Sequence, residues 1–223
     1  MGTTTCLQDS VSETHERLGA RATEAHKVAV DRGLSRRGCP PIDLFVGETA
    51  RHLHAVDNAL IGSLDRRSRE ERTLAHDYLA SAHELELVLF HVKAHEYGSV
   101  YERTFEWPAV WADVDRALAG EREAEVGIAE QLSARLDDER LTRLTGRLAR
   151  LEPLEPSRPH PFTPRRGLAG AMARLIMRRT DEAMDAVESR YRPPVASRPH
   201  RSPGPVAQYL LADPRFDEET TSD

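Results

Sequence analysis

The most constraining feature of the sequence is an apolar stripe that contains two carboxylates, between positions 108 and 136. Apolar residues recur there every three to four positions, as on one face of an α-helix: Val114, Leu118, Ile128, Leu132 and Leu136. Glu121 and Glu125 occupy the two remaining places in that stripe. A carboxylate that leaves water is costly unless it is paired, protonated or bound to a metal, and two such groups one turn apart repel each other. The stripe therefore predicts a helix that turns both glutamates towards a core, with a positive group between them.

A second interpretation of the same spacing places both glutamates at the hydrated edge of a helical bundle. There they would pair with Arg122 or with an arginine elsewhere in the chain. Glutamate is also a good helix former, so its presence in a helix needs no site. The spacing by itself leaves both interpretations open.

The overall composition narrows the classes of partner. The chain has 223 residues and a formal charge of -6, which argues against a general nucleic-acid-binding protein, since that function needs a basic surface. No apolar run approaches the ~20 residues of a membrane-spanning helix, and the first ten residues lack the segments of a signal peptide. With Cys6 and Cys39 as the two cysteines, we expect no structural disulfide and a cytoplasmic location.

The periodicity predicts helices throughout and no strand. Proline and glycine interrupt the pattern at short intervals, and the predicted helices cover 12–31, 42–64, 69–97, 108–136, 139–151 and 168–191. Long helices with short connections predict an all-α antiparallel four-helix bundle. We assign residues 1–41 to a tail and an accessory helix, 42–192 to the bundle and 193–223 to a disordered tail. Residues 1–10 are also expected to be disordered.

Several histidines are candidate metal ligands. His52 lies on the apolar face of the helix predicted at 42–64, one turn before Val56, where a histidine is either a hydrogen-bonded core residue or a ligand. The helix predicted at 69–97 carries three more candidates, His83, His91 and His95. His91 and His95 stand four apart, a spacing that two ligands of one ion can use, although a solvated face explains them equally well. On another face of that helix, Glu86 and Lys93 could form a buried ion pair.

These residues give the chain a resemblance to the hemerythrin-like, or HHE cation-binding, domains. The resemblance covers residues 42–193 and rests on ARHLHAVDNAL, LELVLFHVKAHEYGSVYE and WPAVWADVDRALAGEREAEVGIAEQL, with RPHPFTPRRGLAG and DEAMDAVESR near the end. It implies an iron site, typically a pair of ions, built from a histidine on the first bundle helix and a His-x-x-x-Glu motif on each of the next two. Carried over, His52 matches the first-helix ligand and Glu125 matches the glutamate of the third-helix motif.

The sequence departs from that motif at several positions. Glu121 stands where the third-helix histidine is expected, and none of His83, His91 and His95 begins a clean His-x-x-x-Glu. The last predicted helix has no histidine, and His160 precedes it in a proline-rich loop. A pair of irons, a single weakly held ion and an empty bundle all remain open.

The sequence thus supports three functional hypotheses. The first is a hemerythrin-like metal-binding protein, with non-haem iron as the expected metal, that handles oxygen, nitric oxide or iron or senses redox state. The second is a metal-free bundle with a decayed site, acting through contacts with an unidentified protein. The third is an enzyme of the DinB-type bundles, which use three histidines and a divalent metal. That third hypothesis requires three converging histidines, whereas Glu121 and Glu125 are carboxylates.

Overall fold

The structure is a computed structural model that describes residues 6–32, 39–96, 106–159 and 161. Within these residues the chain is helical and contains no strand, which confirms the predicted all-α class. In this described part of the chain, two short 3-10 helices, at Ile61–Ser63 and Glu152–Leu154, accompany five α-helices: α1 (Leu7–Arg32), α2 (Pro40–Ala59), α3 (Arg69–Glu96), α4 (Trp107–Arg135) and α5 (Asp138–Leu151). None of the helices in the described part is long and apolar enough to cross a membrane.

The helices begin where the local sequence favours a start. Pro40 and Pro108 lie in the first turns of α2 and α4, where a missing backbone N–H costs no hydrogen bond. The side chain of Asp137 accepts a hydrogen bond from the backbone N–H of Arg140 and so caps α5. The helix predicted at 42–64 ends earlier, at Ala59, and the chain continues into the first 3-10 helix.

The expectation that residues 1–10 are disordered is wrong for residues 7–10. Helix α1 begins at Leu7, whose side chain is fully buried, and Val11 is buried one turn later. Buried apolar side chains then continue along one face of α1 through Leu18, Ala22 and Ala25. This long stripe supplies the apolar contact that holds the first turns of the helix in place.

Each of the first four helices buries a stripe of residues spaced three or four apart, as expected for a helix that packs one face against a core. On α3, the fully buried members include Tyr78, Leu85 and Leu89. Helix α1 packs against both α2 and α4, and α3 packs mainly against α4. Helix α1 is therefore in contact with the described helices that follow residue 42, while the domain division at that residue stays a prediction.

Side-chain contacts fix the relative directions of the helices. His15 and His26 of α1 contact Glu125 and Trp111 of α4, so these two helices are antiparallel. The rings of His95 and Trp107 are in contact at one end of α3 and α4, and Gln131 contacts Glu71 at the other, so this pair is antiparallel as well. The full antiparallel four-helix arrangement stays a prediction, because the helix predicted at 168–191, His160 and the predicted tail at 193–223 lie outside the described residues.

Candidate metal centre

The two glutamates of the α4 stripe face the interior, as the sequence predicts. The side chains of Glu121 and Glu125 are both fully buried, and they lie among the buried residues Val114, Leu118 and Ile128 of the same face. Helical geometry places them on one side of α4 because they are four residues, or about one turn, apart. The interpretation as a hydrated bundle edge is therefore excluded for both side chains.

Two histidines from two other helices contact Glu125. The Nε2 atom of His52, on α2, lies 2.8 Å from Oε2 of Glu125. The Nε2 atom of His15, on α1, also lies 2.8 Å from that oxygen and 3.7 Å from Oε2 of Glu121. The rings of His15 and His52 meet edge to face, with their centroids 5.4 Å apart. One carboxylate oxygen thus joins α1, α2 and α4 at a single buried point.

His15 was not among the ligands proposed from the sequence. The helix predicted at 12–31 began too late to show the full stripe, which runs through Leu7, Val11, Leu18 and Ala22. His15 occupies the place between Val11 and Leu18, four residues after one and three before the other. It is therefore a polar residue in a buried apolar stripe, the same signal that identified Glu121 and Glu125 on α4.

Electrostatic coupling within the cluster shifts two pKa values in opposite directions. Burial by itself lowers the pKa of His52, but the negative charge of Glu125 and the hydrogen bond to it outweigh burial and raise that pKa to about 9. Burial likewise raises the pKa of Glu125, but the charge of His52 and the hydrogen bonds from both histidines lower it to about 2. At neutral pH the protein without metal therefore holds a buried imidazolium–carboxylate pair. Because an ionised carboxylate can only accept, the Nε2 atoms carry the donated hydrogens.

The four side chains can converge on one cation. His15, His52, Glu121 and Glu125 each offer a ligand atom, all these atoms lie within 4.8 Å of one another, and no side chain of the group is more than 1% exposed. Two ligands bound to one ion at about 2.0–2.2 Å are separated by at most about 4.4 Å, so small side-chain movements suffice. Among the described residues, the second oxygen of Glu125 and the Nδ1 atoms of His15 and His52 have no hydrogen-bond partner. The donor set and this spare buried oxygen fit a metal ion.

The histidines predicted on α3 do not join this group. His83 and His91 are exposed, because they fall outside the stripe through which α3 packs on α4. His95 is buried, but its ring meets that of Trp107 edge to face, with centroids 4.2 Å apart. Of the predicted ligands, the structure thus brings together His52, Glu121 and Glu125.

The ion pair predicted between Glu86 and Lys93 does not appear among the contacts of Lys93 in the described part of the chain, and this lysine does not pair with Glu125. Lys93 donates hydrogen bonds to Asp43 of α2 and to Glu96 of α3. Glu86, its predicted partner, is fully buried with an oxygen 3.6 Å from Nε2 of His54. The cationic partner that the structure gives to Glu125 is therefore the imidazolium of His52.

No protein-family model, no curated protein and no solved structure matches this chain. What this chain can do chemically is therefore inferred from its own residues, above all from the geometry of the four buried side chains.

Proposed function

We propose that this chain is a metal-binding protein that holds one first-row transition-metal ion between α1, α2 and α4, with iron as the expected ion. The observation that carries the proposal is the fully buried group of His15, His52, Glu121 and Glu125, whose ligand atoms lie within 4.8 Å of one another. Burying four such groups together is expensive unless they bind something or neutralise one another. A divalent ion balances the two carboxylates and accepts lone pairs from both imidazoles.

The donor set indicates the kind of ion. Two imidazole nitrogens with carboxylate oxygens suit iron, manganese or zinc, whereas the thiolates that soft metals prefer are missing from the described group. His15 and His52 would bind through Nε2, and Glu121 and Glu125 would bind through a carboxylate oxygen each. An iron ion held in this way would supply reversible redox chemistry and positions for small ligands.

The resemblance to hemerythrin-like domains and the complete burial of the group support the same class of function. We propose that the protein handles oxygen, nitric oxide or iron, or senses redox state, because a fully enclosed ion is accessible to small molecules in preference to large substrates. The fold would then be a four-helix bundle of the hemerythrin type. The described residues provide one group of three or more ligands, which is enough for one ion. A pair of irons would need further ligands.

A specific observation also favours the second hypothesis, a metal-free bundle that acts through protein contacts. Oxygen Oε2 of Glu125 already accepts hydrogen bonds from His15 and His52, so the cluster is partly satisfied without an ion. The hypothesis of a DinB-type enzyme gains no such support, because the described group combines two histidines with two carboxylates.

Metal analysis of the purified protein tests the proposal directly. The chain is expressed and purified without added metal or chelator, and its metal content is measured by mass spectrometry. We expect about one ion per chain, mostly iron. A protein that contains no metal and takes up none of Fe²⁺, Mn²⁺ or Zn²⁺ under nitrogen would overturn the proposal and favour the metal-free bundle.

A further inference from the structure

We propose that the ion fastens helix α1 onto α2 and α4 through His15, so that occupancy of the metal site and docking of the first helix are coupled. This inference rests on the proposed function, since it assigns a regulatory consequence to the same site. It starts from the distribution of ligands: α4 contributes Glu121 and Glu125, α2 contributes His52, and α1 contributes His15. Three of the four ligands thus remain together if α1 moves away.

Two other kinds of contact also hold α1 against its neighbours. Its buried face consists of Leu7, Val11 and Leu18 towards the amino end and of alanines beyond, so the apolar contact becomes smaller along the helix. Its outer face forms ion pairs from Arg17 and Arg21. Both arginine side chains are more than a third exposed, and exposed ion pairs of this kind contribute little to stability. A metal–ligand bond from His15 would therefore add substantially to the docking of α1.

The burial of the site gives α1 a second role. Each of the four side chains is at most 1% exposed, and α1 packs against both of the helices that carry the other three ligands. An ion that enters or leaves from this side must displace α1. An ion already bound through His15 must break that bond before the helix can move.

Thermodynamic linkage turns this arrangement into a switch. An ion that gains a ligand when α1 is docked binds the docked state more tightly, and it stabilises docking by the same factor. The protein would then present α1 as a docked helix when metal is available and release it more often when the ion is lost. Two binding events coupled in this way commonly change each other's affinity by about 5- to 150-fold.

Hydrogen exchange measured by mass spectrometry tests the coupling. Zn²⁺ is the probe, because it accepts nitrogen and oxygen ligands and undergoes no redox change. With saturating Zn²⁺, relative to chelator, we expect the amides of α1 to exchange about tenfold more slowly. Helix α5 supplies no ligand, and its exchange should change much less. Equal slowing in α1 and α5, or none in α1 despite bound Zn²⁺, would overturn the inference.

Two matched variants in α1 separate coupling from general stabilisation. His15→Ala removes the ligand but leaves His52, Glu121 and Glu125, so Zn²⁺ should bind more weakly and no longer slow exchange in α1. His26→Ala removes a histidine of the same helix that contacts Trp111, and its response to Zn²⁺ should match that of the wild type.

The outcomes distinguish the two proposals. If His15→Ala binds Zn²⁺ and still shows slower exchange in α1, the coupling is wrong while the metal site stands. If His15→Ala binds no Zn²⁺, the wild type alone tests the coupling: slower exchange in α1 with little change in α5 supports it, and equal slowing in both helices overturns it. If the wild type itself binds no ion, the proposed function fails first.

Discussion

Oxygen Oε2 of Glu125 lies where three helices meet, so this residue would do more than supply one of four ligands to the proposed ion. This oxygen, on α4, accepts hydrogen bonds from Nε2 of His15 on α1 and from Nε2 of His52 on α2. Both N···O distances are 2.8 Å. The other oxygen of Glu125 is buried without a hydrogen-bond partner in the described part of the chain. Removing this carboxylate would therefore remove a ligand of the proposed ion, and it also removes the counter-charge of His52.

We predict that Glu125→Ala abolishes most metal binding. Few alternative ligands are available in the described group, so the loss should weaken binding of Zn²⁺ or Fe²⁺ by at least about tenfold, as even indirect changes at metal sites commonly do. Metal content after purification and calorimetric titration provide the measurement. Glu123→Ala is the matched control, because Glu123 is an exposed glutamate on the same helix. Similar loss of binding in both variants would contradict the assigned role of Glu125.

We also predict that metal binding displaces a proton from His52. Its pKa of about 9 means that the imidazole is protonated at neutral pH in the protein without metal, whereas a ligand must be neutral. The affinity for Co²⁺ should therefore rise about tenfold per pH unit between about pH 6 and 8, with about one proton released from His52 per ion. Visible absorption of Co²⁺ and titration in a weak buffer measure both quantities. An affinity that does not change between about pH 6 and 8 would contradict the release of a proton from His52.

The candidate site was partly readable from the sequence because a polar residue in an apolar stripe is conspicuous. That signal located Glu121 and Glu125, and the placement of His52 one turn before Val56 made it a candidate. His15 carried the same signal and was missed because the start of its helix was placed after Val11. His91 was a candidate because it stands four residues from His95, a spacing that a metal site and a solvated face explain equally well, and the structure shows both His83 and His91 exposed.

At the scale of the helices, a second buried ionic network links the end of α3 to the start of α2. Lys93 contacts Asp43 and Glu96, and their side chains are 11%, 5% and 3% exposed. Glu96 also accepts a hydrogen bond from the backbone N–H of Cys39, the residue before α2. Burial raises the pKa of Glu96 despite the lowering effect of the Lys93 charge. The network therefore fixes how these two helix ends meet. The ammonium group of Lys93 balances the two buried carboxyl groups of the network.

We predict that Lys93→Ala destabilises the protein by about 3 kcal/mol, since removing one partner of a buried pair leaves charge without compensation. Denaturant unfolding at pH 7 measures the free energy. Arg116→Ala is the control: it removes an exposed arginine that pairs with Asp113 within α4 and should cost less than about 1 kcal/mol. Equal effects of the two substitutions would contradict the structural role of the network.

The loss of unfolding free energy in Lys93→Ala should depend on pH. With its cation removed, the pKa of Glu96 should rise further above the value in the unfolded chain. A carboxyl group whose pKa is higher in the folded state binds more protons there, so stability falls as pH rises from the unfolded pKa through the folded one. The deficit relative to the wild type should therefore be smaller at pH 5 than at pH 7.

Most of the helices could be predicted because each has a regular apolar stripe and clear breaks. Helix α3 begins at Arg69 and α4 ends at Arg135, each within a residue of the prediction. Which helices meet could not be predicted in the same way. The stripe of α1 shows that it buries one face, but its contacts with both α2 and α4 depend on directions and registers that single-helix periodicity does not contain.

At the scale of the whole molecule, the buried cluster contributes differently to stability in the two functional hypotheses. In the metal-free hypothesis, His15, His52 and Glu125 form a polar network that contributes to stability through the hydrogen bonds already present. In the metal-binding hypothesis, the same side chains are a preformed site whose contribution appears when the ion arrives. An ion that binds the folded state alone raises the free energy of unfolding in proportion to the logarithm of its concentration.

We therefore predict that Fe²⁺, added under nitrogen, raises the melting temperature of the wild type and leaves that of Glu125→Ala unchanged. At one hundred times the dissociation constant, the gain is about 2.7 kcal/mol, or about 5–10 °C for a chain of this size. Calorimetric scans of both proteins, with Fe²⁺ and with chelator, make the comparison. In chelator, Glu125→Ala should already melt below the wild type, because His52 loses its buried counter-charge in either hypothesis. The response to Fe²⁺ therefore discriminates between them: if the wild type melts at one temperature with and without the ion, the buried cluster is a structural network and the metal-free bundle is the better account.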